Sequence, residues 1–239
     1  MKGVVLAGGK GSRLRPMTRV VNKHVIPIYD QPMIYYPVNT LADAGIDEIM
    51  IISNADHIGK YIELLENESD FDIDFSYKVQ SEPKGIAHAV GLAEQFVDDE
   101  FVVILGDNII LEDLGEKIGP LRSEEDARIF LKQVSEPSAY GVASVDNEGH
   151  VIGLEEKPEN PESNDAVVGL YVFDSQVFDV ISDLTPSERG EYEITDVNRQ
   201  YLRTGTLRYE RIDGSWYDAG TPEGVFQASA DVRDRRRED

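Results

Sequence analysis

Directly after a short apolar stretch, Val4-Val5-Leu6, the chain runs Ala7-Gly8-Gly9-Lys10-Gly11-Ser12-Arg13-Leu14. Glycines in such a turn let the backbone pass close to a ligand and aim several N–H groups at phosphate oxygens. Arg13 adds a planar, fork-shaped cation suited to a polyphosphate. The loop lacks the closing Gly-Lys-Ser/Thr of a P-loop and the third glycine of a dinucleotide fingerprint. Taken alone it is equally well a tight turn with no ligand. Lys23, in Asn22-Lys23-His24-Val25-Ile26-Pro27, joins Arg13 and Arg15 in concentrating positive charge near this loop. The plain alternative is a solvated surface lysine. Asp107 ends the apolar run Phe101 to Leu105, in Leu105-Gly106-Asp107-Asn108, and Asp218 lies within Ser215-Trp216-Tyr217-Asp218-Ala219-Gly220-Thr221-Pro222. Open α/β sheets bind ligands at the carboxyl ends of their strands, and Mg²⁺ takes one or two carboxylates together with phosphate oxygens. An Asx turn capping the strand exit is the other reading of Asp107. Two aspartates on separate strand-end loops could grip one metal from both sides, although spacing alone does not bring them together.

The elements that must hold these groups alternate. Val4 to Leu6, Glu48 to Ser53, Phe101 to Leu105 and Arg128 to Val134 read as short buried strands; Pro32 to Ala44, His57 to Glu66 and Gly85 to Phe96 read as helices between them. That order predicts an α/β fold with a Rossmann-like, mainly parallel sheet and helices on both faces. After Tyr140 the pattern turns β-rich, with Gly141 to Val145, His150 to Glu155 and Val167 to Phe173 as strands and turns at Asp146-Asn147-Glu148-Gly149 and Pro158 to Pro161. Residues 175–184, 194–203 and 222–237 read as helices and Leu207 to Ile212 as a strand. Neither a repeat nor a linker divides the chain, which predicts one domain, 1–239, with an alternating α/β half (1–135) and a β-rich half (136–239).

With 46 acidic against 23 basic residues, the formal net charge is −23, spread along the whole chain. A phosphate polyanion would be repelled over most of such a surface, which argues against nucleic-acid binding. A concentrated-salt cytoplasm, where ions screen the self-repulsion, is one reading of this charge, and an ordinary acidic protein is the other. No apolar run reaches membrane-spanning length, and the first residues lack the basic-then-apolar pattern and cleavage site of a leader, so no secretory signal is expected. The absence of cysteine removes disulfide and thiolate chemistry. A cytoplasmic protein with no membrane partner is expected.

The motifs, taken in order, resemble those of the glucose-1-phosphate thymidylyltransferase family of sugar nucleotidyltransferases. They are Gly8-Gly9-Lys10-Gly11-Ser12-Arg13-Leu14, Lys23 with Pro27, Gln80-Ser81-Glu82-Pro83-Lys84-Gly85-Ile86-Ala87 and Gly106-Asp107-Asn108. Tyr140-Gly141-Val142, Glu155-Glu156-Lys157-Pro158 and Gly169-Leu170-Tyr171 follow. Arg189-Gly190-Glu191-Tyr192-Glu193-Ile194-Thr195-Asp196 and Trp216-Tyr217-Asp218-Ala219-Gly220-Thr221 close the series. Any one could arise by chance; the whole series in order is specific.

The resemblance implies transfer of a nucleotidyl group from dTTP to glucose 1-phosphate, giving dTDP-glucose and pyrophosphate, with Mg²⁺ as cofactor and a homo-oligomeric assembly. Leu6, Gly8, Gly9, Gly11, Ser12, Gln80, Pro83, Gly85 and Ile86 would line the nucleotide, with Gln80 and Gly85 on the pyrimidine. Arg13 and Lys23 would hold the triphosphate, and Asp107 and Asp218 the metal. Asn108, Tyr140, Gly141, Glu156, Val168, Gly169, Tyr171 and Trp216 would surround the hexose, and Lys157 and Arg189 would hold its phosphate. A phosphate oxygen already ionised at pH 7 needs no general base, so His24, His57, His88 and His150 are given no catalytic role.

Two segments depart from the family pattern. Lys84-Gly85-Ile86-Ala87-His88-Ala89 stands where Asp-Gly-Leu-Ala-Gln-Ala is familiar, and Trp216-Tyr217-Asp218-Ala219 where Trp-Leu-Asp-Thr is. Thymine and uracil differ by one methyl, worth only about 1–3 kcal/mol, so UTP or another sugar 1-phosphate remains an alternative. A non-catalytic regulatory or scaffold subunit is a third reading, set against the presence of Arg13, Lys23, Asp107, Lys157 and Asp218. Longer family members add a C-terminal helical segment that helps form a regulatory nucleotide site, expected to be missing or reduced here. The Arg233-Asp234-Arg235-Arg236-Arg237 cluster reads as a partner contact or as cations in a last helical turn.

Overall fold

The computed structural model describes residues 1–67 and 71–238. The strands are β1 (Lys2–Leu6), β2 (Pro27–Ile28), β3 (Gln31–Pro32), β4 (Glu48–Ser53), β5 (Asp74–Val79), β6 (Phe101–Leu105), β7 (Asn108–Leu111), β8 (Ala127–Gln133), β9 (Gly141–Val145), β10 (Val151–Glu156), β11 (Asp165–Phe173), β12 (Leu207–Arg211) and β13 (Ser215–Asp218). The helices are α1 (Tyr35–Asp43), α2 (Ala55–Ile62), α3 (Ile86–Gly91), α4 (Val177–Ser182), α5 (Ile194–Thr204) and α6 (Pro222–Glu238). One large sheet has the order β10-β9-β11-β6-β1-β4-β5, with β8 paired to β11 and β12 to β8. On one wing β5, β4, β1 and β6 run parallel. On the other, β11 runs antiparallel to β6, β8 and β9. Strands from both halves of the chain therefore share one sheet.

Alternation along β1 shows why helices cover both faces. Val4 and Leu6 join an apolar cluster with Ala87, Val90, Val177 and Val197, whereas Val5 and Ala7 join Val38, Leu41 and Tyr61. Side chains of successive strand residues point to opposite faces. A strand apolar at every position is thus buried twice, by α3, α4 and α5 on one side and by α1 and α2 on the other. A third cluster, with Leu14, Ile28, Ile109, Ala228 and Val232, packs α6 against the β2–β3 and β7–β13 ribbons.

Three expected helices are shorter or shifted. The first begins at Tyr35, because Gln31–Pro32 pairs with Pro27–Ile28 as a small ribbon. The second starts at Ala55 and runs into a π-turn over Glu63–Asn67. The third spans only Ile86–Gly91. The C-terminal arginines have a local use: Arg235 donates to Leu111 O at 3.1 Å and to Ser215 Oγ at 3.2 Å, and Arg236 pairs with Asp30 at 3.0 Å. Among the described residues no helix is long and apolar enough to cross a membrane.

Candidate active site

β1 and β6 are parallel neighbours, in register from Lys2–Phe101 to Leu6–Leu105. Beyond β1 the chain crosses to β4, while β6 is followed across the sheet by β11, so the connections diverge between these two strands. A crevice opens at such a switch point, at the carboxyl ends of the strands. The glycine loop leaves β1 there and Asp107 leaves β6 there, joined by the Gly106 N–H donating to Leu6 O at 3.0 Å. Asp218 arrives through the β7–β13 ribbon, in which it is paired with Asn108. The Ala219 N–H donates to Asp107 O at 2.9 Å. An antiparallel ribbon thus does what sequence spacing could not: it sets the two aspartates side by side.

A Cβ placed on Gly220 would lie 2.8 Å from Asp218 Oδ1, 3.0 Å from Asp107 Oδ2 and 2.7 Å from Arg13 Nη2. Both carboxylates and the guanidinium therefore converge on one small space. Each acid is paired with a cation from the N-terminal loops, Lys23 with Asp107 at 2.5 Å and Arg13 with Asp218 at 3.3 Å. Burial works against ionisation of Asp107, but the Lys23 ammonium, His24 and Arg13 overcome it and hold that carboxyl well below the usual range. Asp218 is pushed the other way, by burial first and then by the Asp107 charge, which Arg13 offsets only in part. Two hard oxygen donors facing one gap, one of them strongly acidic, fit Mg²⁺ completed by phosphate oxygens.

Two clefts meet at this point. One, of 430 Å³, is lined by Leu6, Gly8, Gly9, Gly11, Ser12, Arg13, Lys23, Gln80, Pro83, Gly85, Ile86 and Asp107, which is every position expected on the nucleotide. The other, of 520 Å³, holds Asn108, Tyr140, Gly141, Glu156, Lys157, Gly169, Tyr171, Arg189, Trp216 and Asp218. Lys157 and Arg189 border both. Gly85 is demanded by its place: its φ is +103°, and a Cβ would strike Tyr192 O at 2.5 Å. Such a backbone is open only to glycine. In the second cleft Asn108 Oδ1 accepts from Trp216 Nε1 at 2.7 Å and from the Gly169 N–H at 3.1 Å. The Tyr140 ring meets Trp216 edge-on at 5.1 Å.

The family model described as nucleotidyl transferase matches residues 2–235. The chain belongs to the nucleotidyl transferase family. A glucose-1-phosphate thymidylyltransferase of Mycolicibacterium smegmatis is 42% identical over 237 residues, 98% of this chain and 82% of that protein. A crystal structure from Bacillus anthracis, provisionally named a glucose-1-phosphate thymidylyltransferase and complexed with sucrose, is 45% identical with a TM-score of 0.92. It covers 98% of this chain and 96% of that one. A UDP-glucose pyrophosphorylase complexed with UDP-glucose is 27% identical with a TM-score of 0.86, covering 98% of both chains. This nucleotidyltransferase accordingly falls within the glucose-1-phosphate thymidylyltransferase family that its motifs resemble.

One expected site residue of the nucleotidyltransferase has its side chain turned away from both clefts. Val168 is fully buried in the apolar cluster with Phe130 and Leu170, and its neighbour Val167 lines the cleft instead. Alternation along β11 turns Val167, Gly169 and Tyr171 to the cleft and Val168 away. Glu193 and Thr195, within the motif Arg189 to Asp196, also line the second cleft, where the sequence alone gives neither a role. Glu193 pairs with Arg189 at 2.9 Å and Thr195 donates to Glu156 at 2.6 Å. Glu156 in turn meets Lys157 and Arg189, each at 3.3 Å. Burial raises the Glu156 pKa, but the Thr195 hydrogen bond and the two cations outweigh it and keep the carboxyl ionised. Lys157 holds a left-handed backbone, φ +47°, with its N–H donating to Tyr140 O at 3.0 Å. A non-glycine residue kept in that region marks a position fixed by its surroundings.

Proposed function

We propose that the chain transfers the thymidylyl group of dTTP to glucose 1-phosphate, releasing pyrophosphate and forming dTDP-glucose. The observation that carries this reading is the meeting of two clefts at Arg13, Asp107, Lys157 and Arg189, with Asp218 on the wall of the second. One cleft has the glycine-rich backbone and buried amide suited to a nucleotide; the other has the aromatic and hydrogen-bonding walls suited to a hexose. Residues 1–135 supply most of the first and 136–239 most of the second. The named substrates of the relatives point the same way, and a homo-oligomeric, cytoplasmic enzyme is part of the same reading.

In this scheme a phosphate oxygen of the sugar phosphate bonds to the α-phosphorus of the nucleotide, and the bond from that phosphorus to the bridging oxygen breaks in line. The electron pair leaves with pyrophosphate. Two anions must approach, so most of the barrier is repulsion and orientation. Lys157 and Arg189 hold the incoming phosphate, Arg13 and Lys23 hold the triphosphate, and Asn108, Trp216 and Glu156 orient the hexose. Asp107 and Asp218 would hold Mg²⁺, which supplies charge stabilisation to the phosphoryl oxygens. The attacking oxygen is already ionised, so no side chain has to take a proton from it.

UTP as donor is the second reading, favoured by the likeness to a UDP-glucose pyrophosphorylase. An assay of pyrophosphate release that crosses dTTP, UTP and other nucleotides with a set of sugar 1-phosphates separates the two. Highest kcat/KM for dTTP with glucose 1-phosphate is expected, and a clear preference for any other pair would replace the proposal. A chain with no turnover on any pair would turn it toward the non-catalytic reading.

A further inference from the structure

The Gln80 side chain is buried at the base end of the nucleotide cleft, and among the described residues its amide has a hydrogen-bond partner at one end only. Gln80 Nε2 lies 3.1 Å from His88 Nδ1. Its Oε1 faces Gly8 across the cleft wall, where a Cβ would meet it at 2.9 Å. The His88 ring is itself fixed. It sits on α3 and stacks on Tyr192 with centroids 6.3 Å apart and planes at 28°. The adjoining Ala87 N–H donates to Tyr192 O at 3.2 Å.

A neutral imidazole has one donor and one acceptor nitrogen. With Nδ1 accepting, the glutamine amide has one orientation, NH₂ to the imidazole and carbonyl to the cleft. A pyrimidine with a ring N–H, such as thymine or uracil, can donate to that carbonyl. Cytosine has a lone pair on the same ring nitrogen and would set acceptor against acceptor. We propose that His88 is a positioning residue for base selection: by fixing the Gln80 amide with Oε1 toward the cleft, it favours nucleotides whose pyrimidine carries a ring N–H. This rests on the thymidylyl-transfer reading of the same cleft.

The groups facing His88 keep its ring neutral, the state in which Nδ1 is able to accept. Burial first, and then the Lys84 ammonium, lower its pKa, and Glu82 offsets this only in part. Lys84 and Glu82 pair with each other at 2.6 Å beside it, and Tyr192 covers the ring. Protonation would make Nδ1 a donor, turn the Gln80 carbonyl toward the imidazole and present the NH₂ to the base. Selection is therefore complete above the His88 pKa and is lost as pH falls through it, below the ordinary value of 6.5.

The test is titration calorimetry of dTTP, dUTP and dCTP into the full chain with Mg²⁺ and no sugar phosphate, for wild type, His88→Leu and His88→Gln. In His88→Leu the ratio of dCTP to dTTP dissociation constants should fall on the order of tenfold, the worth of one mismatched hydrogen bond. The dUTP to dTTP ratio should stay put, because both bases carry the ring N–H. In wild type the dCTP ratio should also shrink as pH is lowered below the ordinary histidine range, whereas both variants, with no titrating ring, should show no such slope. An unchanged dCTP ratio in His88→Leu with tight dTTP binding overturns the role of His88 and leaves the enzyme reading intact. Both ratios changing together would show a loosened pocket and overturn it too. A wild type that prefers a purine nucleotide overturns the thymidylyl reading itself.

Discussion

Replacing Gly220 by alanine tests the metal-site geometry without removing any charged group. The added methyl would enter the gap between Asp218 Oδ1 (2.8 Å), Asp107 Oδ2 (3.0 Å) and Arg13 Nη2 (2.7 Å). The arginine is a flexible, largely exposed side chain and can swing away. The aspartates cannot do so freely, because Asp218 Oδ1 accepts from the Gly220 N–H at 2.9 Å and Asp107 Oδ2 is paired with Lys23. To reach ordinary van der Waals separation, each carboxylate must retreat by roughly half an ångström. A misplacement of about 1 Å at a reacting centre can cost about 10²-fold, so two half-ångström shifts predict a loss of about ten- to a hundredfold in kcat. The clash falls on side-chain tips rather than backbone, so stability should change by less than about 1 kcal/mol, a shift of about 2–4 °C in Tm. Pyrophosphate release across a Mg²⁺ series, alongside a melting curve, gives both numbers. The Mg²⁺ concentration for half-maximal rate should rise. A variant that keeps wild-type turnover at limiting Mg²⁺ would refute the shared site, as would a large fall in Tm with normal turnover per folded molecule.

Lys157→Ala should raise KM for glucose 1-phosphate and lower kcat, with dTTP affinity nearly unchanged; losing one charged hydrogen bond is worth about 1.5–3 kcal/mol, read in steady-state kinetics. Arg128→Met should destabilise the fold by about 3–5 kcal/mol, because Arg128 and Glu125 are paired at 2.6 Å with side chains 1% and 0% exposed and the buried acid would keep the Arg122 N–H but no cation against it within the core. Burial opposes ionisation of Glu125 but its bonds to Arg128 prevail and lower its pKa; the pair's contribution is present above the unfolded value and lost as pH falls through the folded one, so the gap in Tm should narrow in acid. With a net charge of −23, Tm should rise steadily from dilute buffer to molar KCl, as the screening length falls from about 30 Å at 0.01 M to about 3 Å at 1 M; a flat or falling Tm would dispose of the concentrated-salt reading.

Much of the fold is legible because its strands are apolar at every position. Val4-Val5-Leu6 and Phe101 to Leu105 leave no polar face, and a strand buried on both sides requires helices on both sides. The strands not foreseen lack that signature. β5, Asp74-Phe75-Ser76-Tyr77-Lys78-Val79, alternates and lies at the sheet edge, partly exposed. β7 and β13 pair only with each other, so neither carries a local signal of where its partner lies. Their pairing nonetheless decides whether Asp107 and Asp218 meet. The most consequential contact in the site is thus a long-range register that no periodicity within either segment encodes.

The cleft residues divide on the same physical line. Glycines and cations are readable because their reasons are local: Gly85 needs its positive φ, and Arg13 and Lys23 stand out in an acidic chain. The side to which Val168 points is not legible in the same way, because a motif match names a stretch, and in a strand a shift of one residue reverses the side to which a side chain points. Glu193 and Thr195 are hidden for a different reason. They act on other protein groups, Arg189 and Glu156, and their importance is visible only once those partners are in place. His88 is the extreme case. Read singly it is a histidine with no reaction to perform, since the attacking oxygen needs no base. Against Gln80 it becomes a matter of which end of an amide faces the nucleotide. Types and spacing reveal the groups that meet substrate; the groups that hold those in place become legible only through hydrogen-bond partners, and base selection depends on them as much as on the contacts themselves.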